Sequence, residues 1–421
     1  MNRRIALKTA AFAAALCGVP WSITAEEGRA RSLGIVLRDL PNRNDSDYWA
    51  RLRREQFFLP DDRAFLNNGS LGVVPRPVMA AVTQSLVRGA EYRTDDVERW
   101  GYEPLDAERS EMSAYLGCDK DELAFTHNCT EGMNFIANGL DLKPGSEVLI
   151  TNQEHGGGSM CWHLKAARCG TRLREVEIPV TPKDPGDLTD RLISAIGPNT
   201  RVLSFSGLTT TTGCILPIRE ICKAAREKEV LTVVDAAHMT GQVPMSLNEL
   251  GCDFCAGSPH KWMFAPAGCG YLYGRAELLE KLWPTIATGG WEPNKGGKSA
   301  RFMMVGTNNR ATIDGMIAGL RFLKSLEMER VHRRMRELTD LVLQHASQRN
   351  YIEVITPRDR RFFQAIVSLQ FKTENVDGFY QALKKAQVNV SGGRRIRVSC
   401  HVHTRPEDLE LLFSIADRTL A

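Results

Sequence analysis

Val230-Leu-Thr-Val-Val-Asp235, continued by Ala236-Ala-His-Met-Thr-Gly241, is a short run of apolar and β-branched residues that ends on a carboxylate. A run of that length flanked by turn residues reads as a strand buried on both faces. Working outward, Val148-Leu-Ile150 and Arg201-Val-Leu-Ser-Phe-Ser206 repeat the pattern, and Ile218 to Lys228 reads as the helix before Val230. Strand-like and helical stretches alternate from about Val78 to Tyr273. Repeated strand–helix–strand units predict an α/β fold with a mostly parallel sheet, whose ligands sit at the carboxyl ends of the strands. His155, Thr209 to Thr212 and Asp235 all fall at such ends.

Lys261, in Ser258-Pro-His-Lys-Trp262, follows the acidic strand end by one further unit. An amine meant to bond an aldehyde cofactor needs a carboxylate elsewhere to keep the cofactor's ring nitrogen protonated, and Asp235 is placed to be that group. The pair points to pyridoxal 5'-phosphate (PLP). Upstream, Glu122-Leu-Ala-Phe-Thr-His-Asn-Cys-Thr-Glu-Gly-Met-Asn134 reads as a strand followed by a helix with apolar positions Met133, Ile136, Ala137 and Leu140. The free N–H groups of that helix start, with the Thr130 hydroxyl, form an expected phosphate site.

In these motifs and their order the chain, from about Asn67 to its C-terminus, resembles the class V aminotransferase family of fold-type I PLP enzymes, which includes cysteine desulfurases and isopenicillin N epimerase. The resemblance implies a large domain with a mostly parallel seven-stranded sheet and a smaller α+β domain. Lys261 is similar to the lysine that bonds the cofactor, Asp235 to its ring-nitrogen partner, and His155 to the residue stacked on the ring. His238 stands where the family has Gln or His against the phenolic oxygen. Cys129, Thr130, Ser258 and His260 match phosphate-binding positions, Thr210 joins the cofactor contacts, and Thr307 resembles a phosphate contact entering from a partner subunit. Arg397 resembles the arginine that holds the substrate carboxylate, a task suited to its planar fork. The Asn68-Gly69-Ser70 turn matches the substrate mouth of the epimerase branch, to which Tyr48-Trp-Ala-Arg-Leu-Arg-Arg-Glu-Gln-Phe-Phe-Leu59 is also similar. A homodimer and an amino acid or small peptide as substrate are what the resemblance implies.

Each residue has a plainer alternative. Asp235 fits an N-cap, His155 and His238 fit hydrogen-bonded loop residues, and Arg397 has rivals in Arg394 and Arg395. Cys252-Asp-Phe-Cys255 together with His401 and His403 fits a metal set, but the cysteines lie in an apolar stretch that reads as buried strand, so no metal is expected. Desulfurases of the family carry a nucleophilic cysteine shortly before the substrate arginine, and Gln387-Val-Asn-Val-Ser-Gly-Gly-Arg-Arg395 has none. Desulfuration is therefore disfavoured. The remaining readings are an epimerase- or aminotransferase-like enzyme, a PLP-dependent C–S lyase, or a non-catalytic binding protein with the same fold.

The N-terminus reads as a removable export signal. Met1-Asn-Arg-Arg-Ile-Ala-Leu-Lys8 carries a twin-arginine pair, the apolar run Thr9 to Val19 follows, and Ala25 is a candidate cleavage point. That run falls short of the roughly 20 residues a membrane helix needs, so no stable membrane insertion is expected. Twin-arginine translocase exports folded proteins, which suits an enzyme that loads its cofactor first, and the expected destination is the periplasm. Exported relatives that tailor siderophore peptides combine this fold with such a leader. The 421-residue chain has a formal net charge of +4, part of it Arg3, Arg4 and Lys8 of the leader, which leaves no basic excess for nucleic acid. The expected layout is 1–25 signal, 26–75 a segment joining the small domain, 76–307 the large domain and 308–421 the small domain. In the last of these, Val331, Met335, Leu338 and Val342 form one helical stripe. Ala365, Val367, Leu369 and Phe371 alternate as in a half-buried strand, a helix spans about Val376 to Ala386, and a strand runs from Ile396 to Ser399. Residues 291–301, rich in Gly and Lys, read as a loop near the site.

Overall fold

Seven short runs of the kind described above form the central sheet. They are β1 (Leu123–Thr126), β2 (Glu147–Thr151), β3 (Arg172–Val176), β4 (Thr200–Ser206), β5 (Leu231–Asp235), β6 (Phe254–Gly257) and β7 (Gly270–Gly274). A computed structural model provides the coordinates, and it describes residues 37–44, 46–91, 105–288 and 298–421; the leader and residues 291–297 of the expected loop lie outside these. The strand order is β1-β7-β6-β5-β4-β2-β3. All neighbouring pairs are parallel except those made by β7, which runs antiparallel to both β1 and β6. β5 is central, with Ser206 and Ala256 flanking Asp235 in register, and Val233 and Val234 are fully buried. Burial on both faces is why this strand lacks polar alternation.

Two helices bring their N-termini to the strand ends. Helix α1 (Cys129–Gly139) is capped by Asn128, whose side chain accepts from Glu131 N–H, and helix α2 (Gly156–Cys169) is capped by His155, whose ring accepts from Gly157 N–H. The helix at Ile218–Glu227 lies on the sheet through Ile218, Ile221, Cys222 and Ala225, the spacing of one helical face.

The region after Thr307 forms two helices, Arg310–Ser325 and Met328–Ser347, divided where Glu327 takes a left-handed φ of 62°. Val331 and Met335 belong to the large core, whereas Leu338, Val342 and Ala346 belong to a second core, so the cores hand over inside the second helix. The N-terminal segment is shared as well: Tyr48, Leu52 and Phe57 join the large core, while Ala64 and Leu66 join the small one. The small core is built on the antiparallel strands β8 (Ile352–Val354), β9 (Ile366–Phe371) and β10 (Arg395–Ser399), in the order β10-β9-β8.

Strand β9 differs from the half-buried strand expected. Only Gln370 is partly open, because Ile366 packs into the large core while Val367, Leu369 and Phe371 pack into the small one. Cys252 and Cys255 are fully buried at the start of β6, in the apolar stretch expected of them. Among the described residues, no helix is long and apolar enough to cross a membrane.

Candidate active site

Asp235 leaves β5 at the centre of the sheet and is buried. Its Oδ1 accepts from Ala237 N–H at 2.9 Å and from the Cys129 thiol at 3.3 Å. The capping contact leaves Oδ2 uncommitted and directed elsewhere: a Cβ placed on Gly158 would sit 2.3 Å from it. A Cβ on the preceding Gly157 would sit 2.5 Å from Thr130 Oγ1. Side-chain-free backbone at the start of α2 therefore opens a cradle between the Asp235 carboxylate and the Thr130 hydroxyl, walled by His155.

Lys261 lies in the single helical turn Pro259–Trp262 after β6. Burial lowers its pKa below that of a free lysine, against the opposing pull of Asp235. Its Nζ lies 3.3 Å from His238 Nε2. The N-terminal turn holds the lysine backbone from behind: Asn68 Nδ2 donates to the Lys261 carbonyl at 2.8 Å and Gly72 N–H donates to the His260 carbonyl at 2.8 Å. A side chain at Gly72 would meet the Lys261 carbonyl at 2.2 Å, so this approach requires glycine.

Arg397, on β10, reaches the same cleft. Its Nη2 donates to Ser70 Oγ at 2.8 Å and to Asn67 Oδ1 at 3.3 Å, and its Nη1 donates to the Thr210 hydroxyl. Burial pushes its pKa down to about 10, and its Nε is buried without a partner. A desolvated guanidinium with an unused donor and only neutral partners is poised for an anion. Its sequence rivals point elsewhere, Arg394 to the Phe371 carbonyl and Glu374, and Arg395 is exposed.

The expected site residues divide accordingly. Lys261, Asp235, His238, His155, Thr130, Gly69, Ser70, Thr210 and Arg397 line one cleft; a Cβ on Gly69 would lie 3.2 Å from His238 Cε1 and 3.3 Å from Arg397 Cζ. The expected phosphate turn is partly spent. Ser258 Oγ accepts from Cys129 N–H at 3.1 Å and Asn128 accepts from Glu131 N–H, which leaves the Thr130 N–H and hydroxyl and the Ser258 hydroxyl proton for an anion. Two side chains are placed differently from the expectation. The Cys129 side chain turns to Asp235 and the Ala256 carbonyl rather than to the anion site. Asn68, expected at the substrate mouth, is fully buried with its amide spent on the Lys261 carbonyl and His403, and it is Asn67 whose Oδ1 reaches Arg397. His260 donates Nδ1–H to the Cys269 carbonyl at 2.8 Å, so it offers a second proton only as imidazolium. Thr307 is exposed on a separate face lined also by Ser85, Arg88 and Asn308.

Sequence reasoning passed over Glu154. Its carboxylate accepts from the Ser206 N–H at 3.1 Å, the Ser206 hydroxyl at 2.6 Å and the Thr151 hydroxyl, and burial raises its pKa to about 7. This anchors the residue before His155 to the ends of β2 and β4. His401 and His403, the rival metal pair, are buried and engaged with the Trp262 carbonyl and Asn68. The cradle beside an acid, the half-buried amine and the two helix N-termini together fit PLP.

Comparison with known proteins agrees with this geometry. Residues 74–410 match the family model described as aminotransferase class-V. The chain is 30% identical over 372 residues to isopenicillin N epimerase of Streptomyces clavuligerus, spanning 84% of this chain and 94% of that one. It is 30% identical over 364 residues to the probable cysteine desulfurase 2 of Mycobacterium leprae, spanning 80% and 82%. Among solved structures, a lysine-to-alanine mutant of C-DES with glycine covalently linked to its PLP cofactor superposes with a TM-score of 0.77 at 23% identity, covering 90% of this chain and 99% of that one. The chain belongs to the class V aminotransferase family and is a PLP-dependent enzyme.

Proposed function

We propose that the enzyme acts at the α-amino group of an amino acid or small peptide whose carboxylate binds Arg397, with epimerase- or aminotransferase-like chemistry at Cα. The observation that carries this reading is the Arg397 guanidinium, half-buried in the cleft of Lys261 with a buried, unpartnered Nε. PLP, when bound, supplies an electron sink for the bond broken at Cα. Asp235, through Oδ2, would hold the proton on the cofactor's ring nitrogen, and Thr130 and Ser258 would offer hydroxyls to its phosphate. Arg397, backed by Asn67, Ser70 and Thr210, orients the substrate carboxylate. Lys261, with its pKa lowered by burial, moves the proton at Cα.

Cysteine placement argues against a desulfurase-type nucleophile. Cys400 is buried at the end of β10, and among the described cysteines only Cys169, at the end of α2 away from the strand ends, is exposed. The leader supports twin-arginine export to the periplasm and a role in tailoring secreted peptides such as siderophores. A homodimer would give Thr307 a neighbour's cleft to enter. Borohydride reduction of the loaded enzyme followed by peptide mapping tests the core of the reading, with a phosphopyridoxyl label expected on Lys261. A panel of amino acids and peptides with free amines, followed by product mass spectrometry, then tests the chemistry. Label at another residue, or turnover retained by Lys261→Ala, overturns the assignment.

A further inference from the structure

We propose that Trp262 is a positioning residue that fixes the tautomer of His238, so that the imidazole presents Nε2–H, a donor, to Lys261 Nζ. The Trp262 indole N–H lies 3.3 Å from His238 Nδ1. An indole nitrogen donates and has no acceptor capacity, so Nδ1 must be the unprotonated nitrogen and a neutral ring carries its hydrogen on Nε2. Nε2 is the atom 3.3 Å from Lys261 Nζ. A protonated Nε2 cannot accept from an ammonium group. It can donate to the lone pair of a neutral amine, and to an oxygen anion brought beside that amine.

The indole has little freedom to do otherwise. Trp262 is fully buried and stacks on His401 with 5.9 Å between ring centroids and 26° between planes. The tautomer of His401 is settled by the same logic: its Nδ1 accepts from Val402 N–H at 2.8 Å, so its Nε2–H donates to the Trp262 carbonyl at 3.0 Å. His403 repeats the pattern. Asn68 gives its N–H to the Lys261 carbonyl, so its Oδ1 faces His403 Nε2 at 3.2 Å as an acceptor, and His403 Nδ1 is left bare. All hydrogens in this buried stack therefore point one way, from Val402 through His401, Trp262 and His238 to the lysine. His401, one of the His-x-His that resembles a metal pair in sequence, is the footing of this chain of donors. Burial keeps all three imidazoles neutral, and Lys261, Arg397 and His155, the charged or titratable groups facing His238, push it the same way.

This assignment concerns the chain itself and holds whichever amino acid is the substrate. It makes His238 a donor rather than a base, and leaves proton movement at Cα to Lys261. The experiment is nitrogen NMR of the full-length protein labelled with [15N]histidine, without and with PLP, where the His238 signals are those missing from His238→Gln. In wild type, Nδ1 is expected at the unprotonated position and Nε2 at the protonated one. In Trp262→Phe, which removes the donor and keeps a ring, the signals move toward a mixture of both tautomers. If Trp262→Phe fails to fold, replacement of Trp262 by 3-benzothienylalanine removes only the N–H. In the loaded enzyme, Trp262→Phe is expected to shift the cofactor absorbance band, and that shift should vanish in a His238→Gln background, since a glutamine amide donates without a tautomer to set. A wild-type His238 protonated on Nδ1, a single Nε2–H tautomer surviving loss of the indole N–H, or an equal absorbance shift in both backgrounds overturns the proposal.

Discussion

Gly158→Ala adds one methyl where the structure leaves no space for it. The new Cβ would lie 2.3 Å from Asp235 Oδ2, about an ångström inside the 3.4 Å at which ordinary contact begins. Helix α2 cannot retreat cheaply, because its next turn buries Cys161 and Trp162 against the sheet. The carboxylate must move instead. Its Oδ1 is tied to Ala237 N–H and the Cys129 thiol, so the movement withdraws Oδ2 from the cradle in which it is proposed to meet the cofactor's ring nitrogen. A hydrogen bond to a charged group contributes about 1.5–3 kcal/mol. Its loss predicts a rise of roughly 10- to 100-fold in the dissociation constant for PLP, each ~1.4 kcal/mol being tenfold. The assay is absorbance titration of the apo-protein with PLP. The neighbouring glycines provide a graded control. Gly157→Ala meets Thr130 Oγ1 at 2.5 Å, a side chain that can rotate, and should weaken binding less. Gly156→Ala meets only Met160 Cγ at 3.9 Å and should bind PLP as wild type does, with a helix firmer by up to ~1 kcal/mol. A folded Gly158→Ala protein that binds PLP as tightly as Gly156→Ala would refute the cradle.

Arg397→Lys exchanges a three-partner fork for a point charge, and should raise KM for carboxylate substrates by about tenfold or more in steady-state assays while amines lacking the carboxylate are unaffected. Glu154 has a folded pKa raised from 4.5 to about 7, so the folded state holds its proton more tightly than the unfolded chain does. Its contribution is complete below about pH 4.5 and is lost as pH rises through about 7. Glu154→Gln, whose amide keeps the Thr151 and Ser206 contacts, should flatten that decline, which thermal unfolding of the apo-protein from pH 5 to 8 would show. A steeper decline in the variant would contradict this. Arg3→Lys with Arg4→Lys should retain the protein in the cytoplasm, and cell fractionation in which it still reaches the periplasm would remove the export reading.

The parts of the site legible in the sequence are those whose chemistry is local. Asp235 closes an apolar run and Lys261 sits in a compact polar motif, so each announces itself within a few residues. The family resemblance favours Arg397 over its close rivals Arg394 and Arg395, and on β10 it faces Asn67, Ser70 and Thr210 while the two rivals are exposed. The choice between Asn67 and Asn68 was not legible, because it depends on an isolated parallel bridge from Asn67 to Ser399, distant in the chain. The direction of the Cys129 side chain is not legible for a similar reason, since the first residue of a helix can send its side chain toward the anion or back to the sheet, as it does here. Alternation in β9 concealed a strand covered on both sides, because a second core is not written in the strand itself. Trp262 stood in plain view beside Lys261, but its importance lies in an indole nitrogen whose acceptor belongs to another unit of the sheet.

The turn at residues 67–72 is fastened at two ends. On one side Ser399 N–H donates to the Leu66 carbonyl and Asn68 N–H to the Ser399 carbonyl, next to Arg397; on the other, Gly72 and Asn68 hold the backbone of His260 and Lys261. The guanidinium and the amine are therefore mounted on one strap, like the two points of a fixed caliper. Substrates should be sorted first by the span between their amine and their acid, and a chain one methylene longer or shorter than the gauge would be refused before its side group is ever inspected.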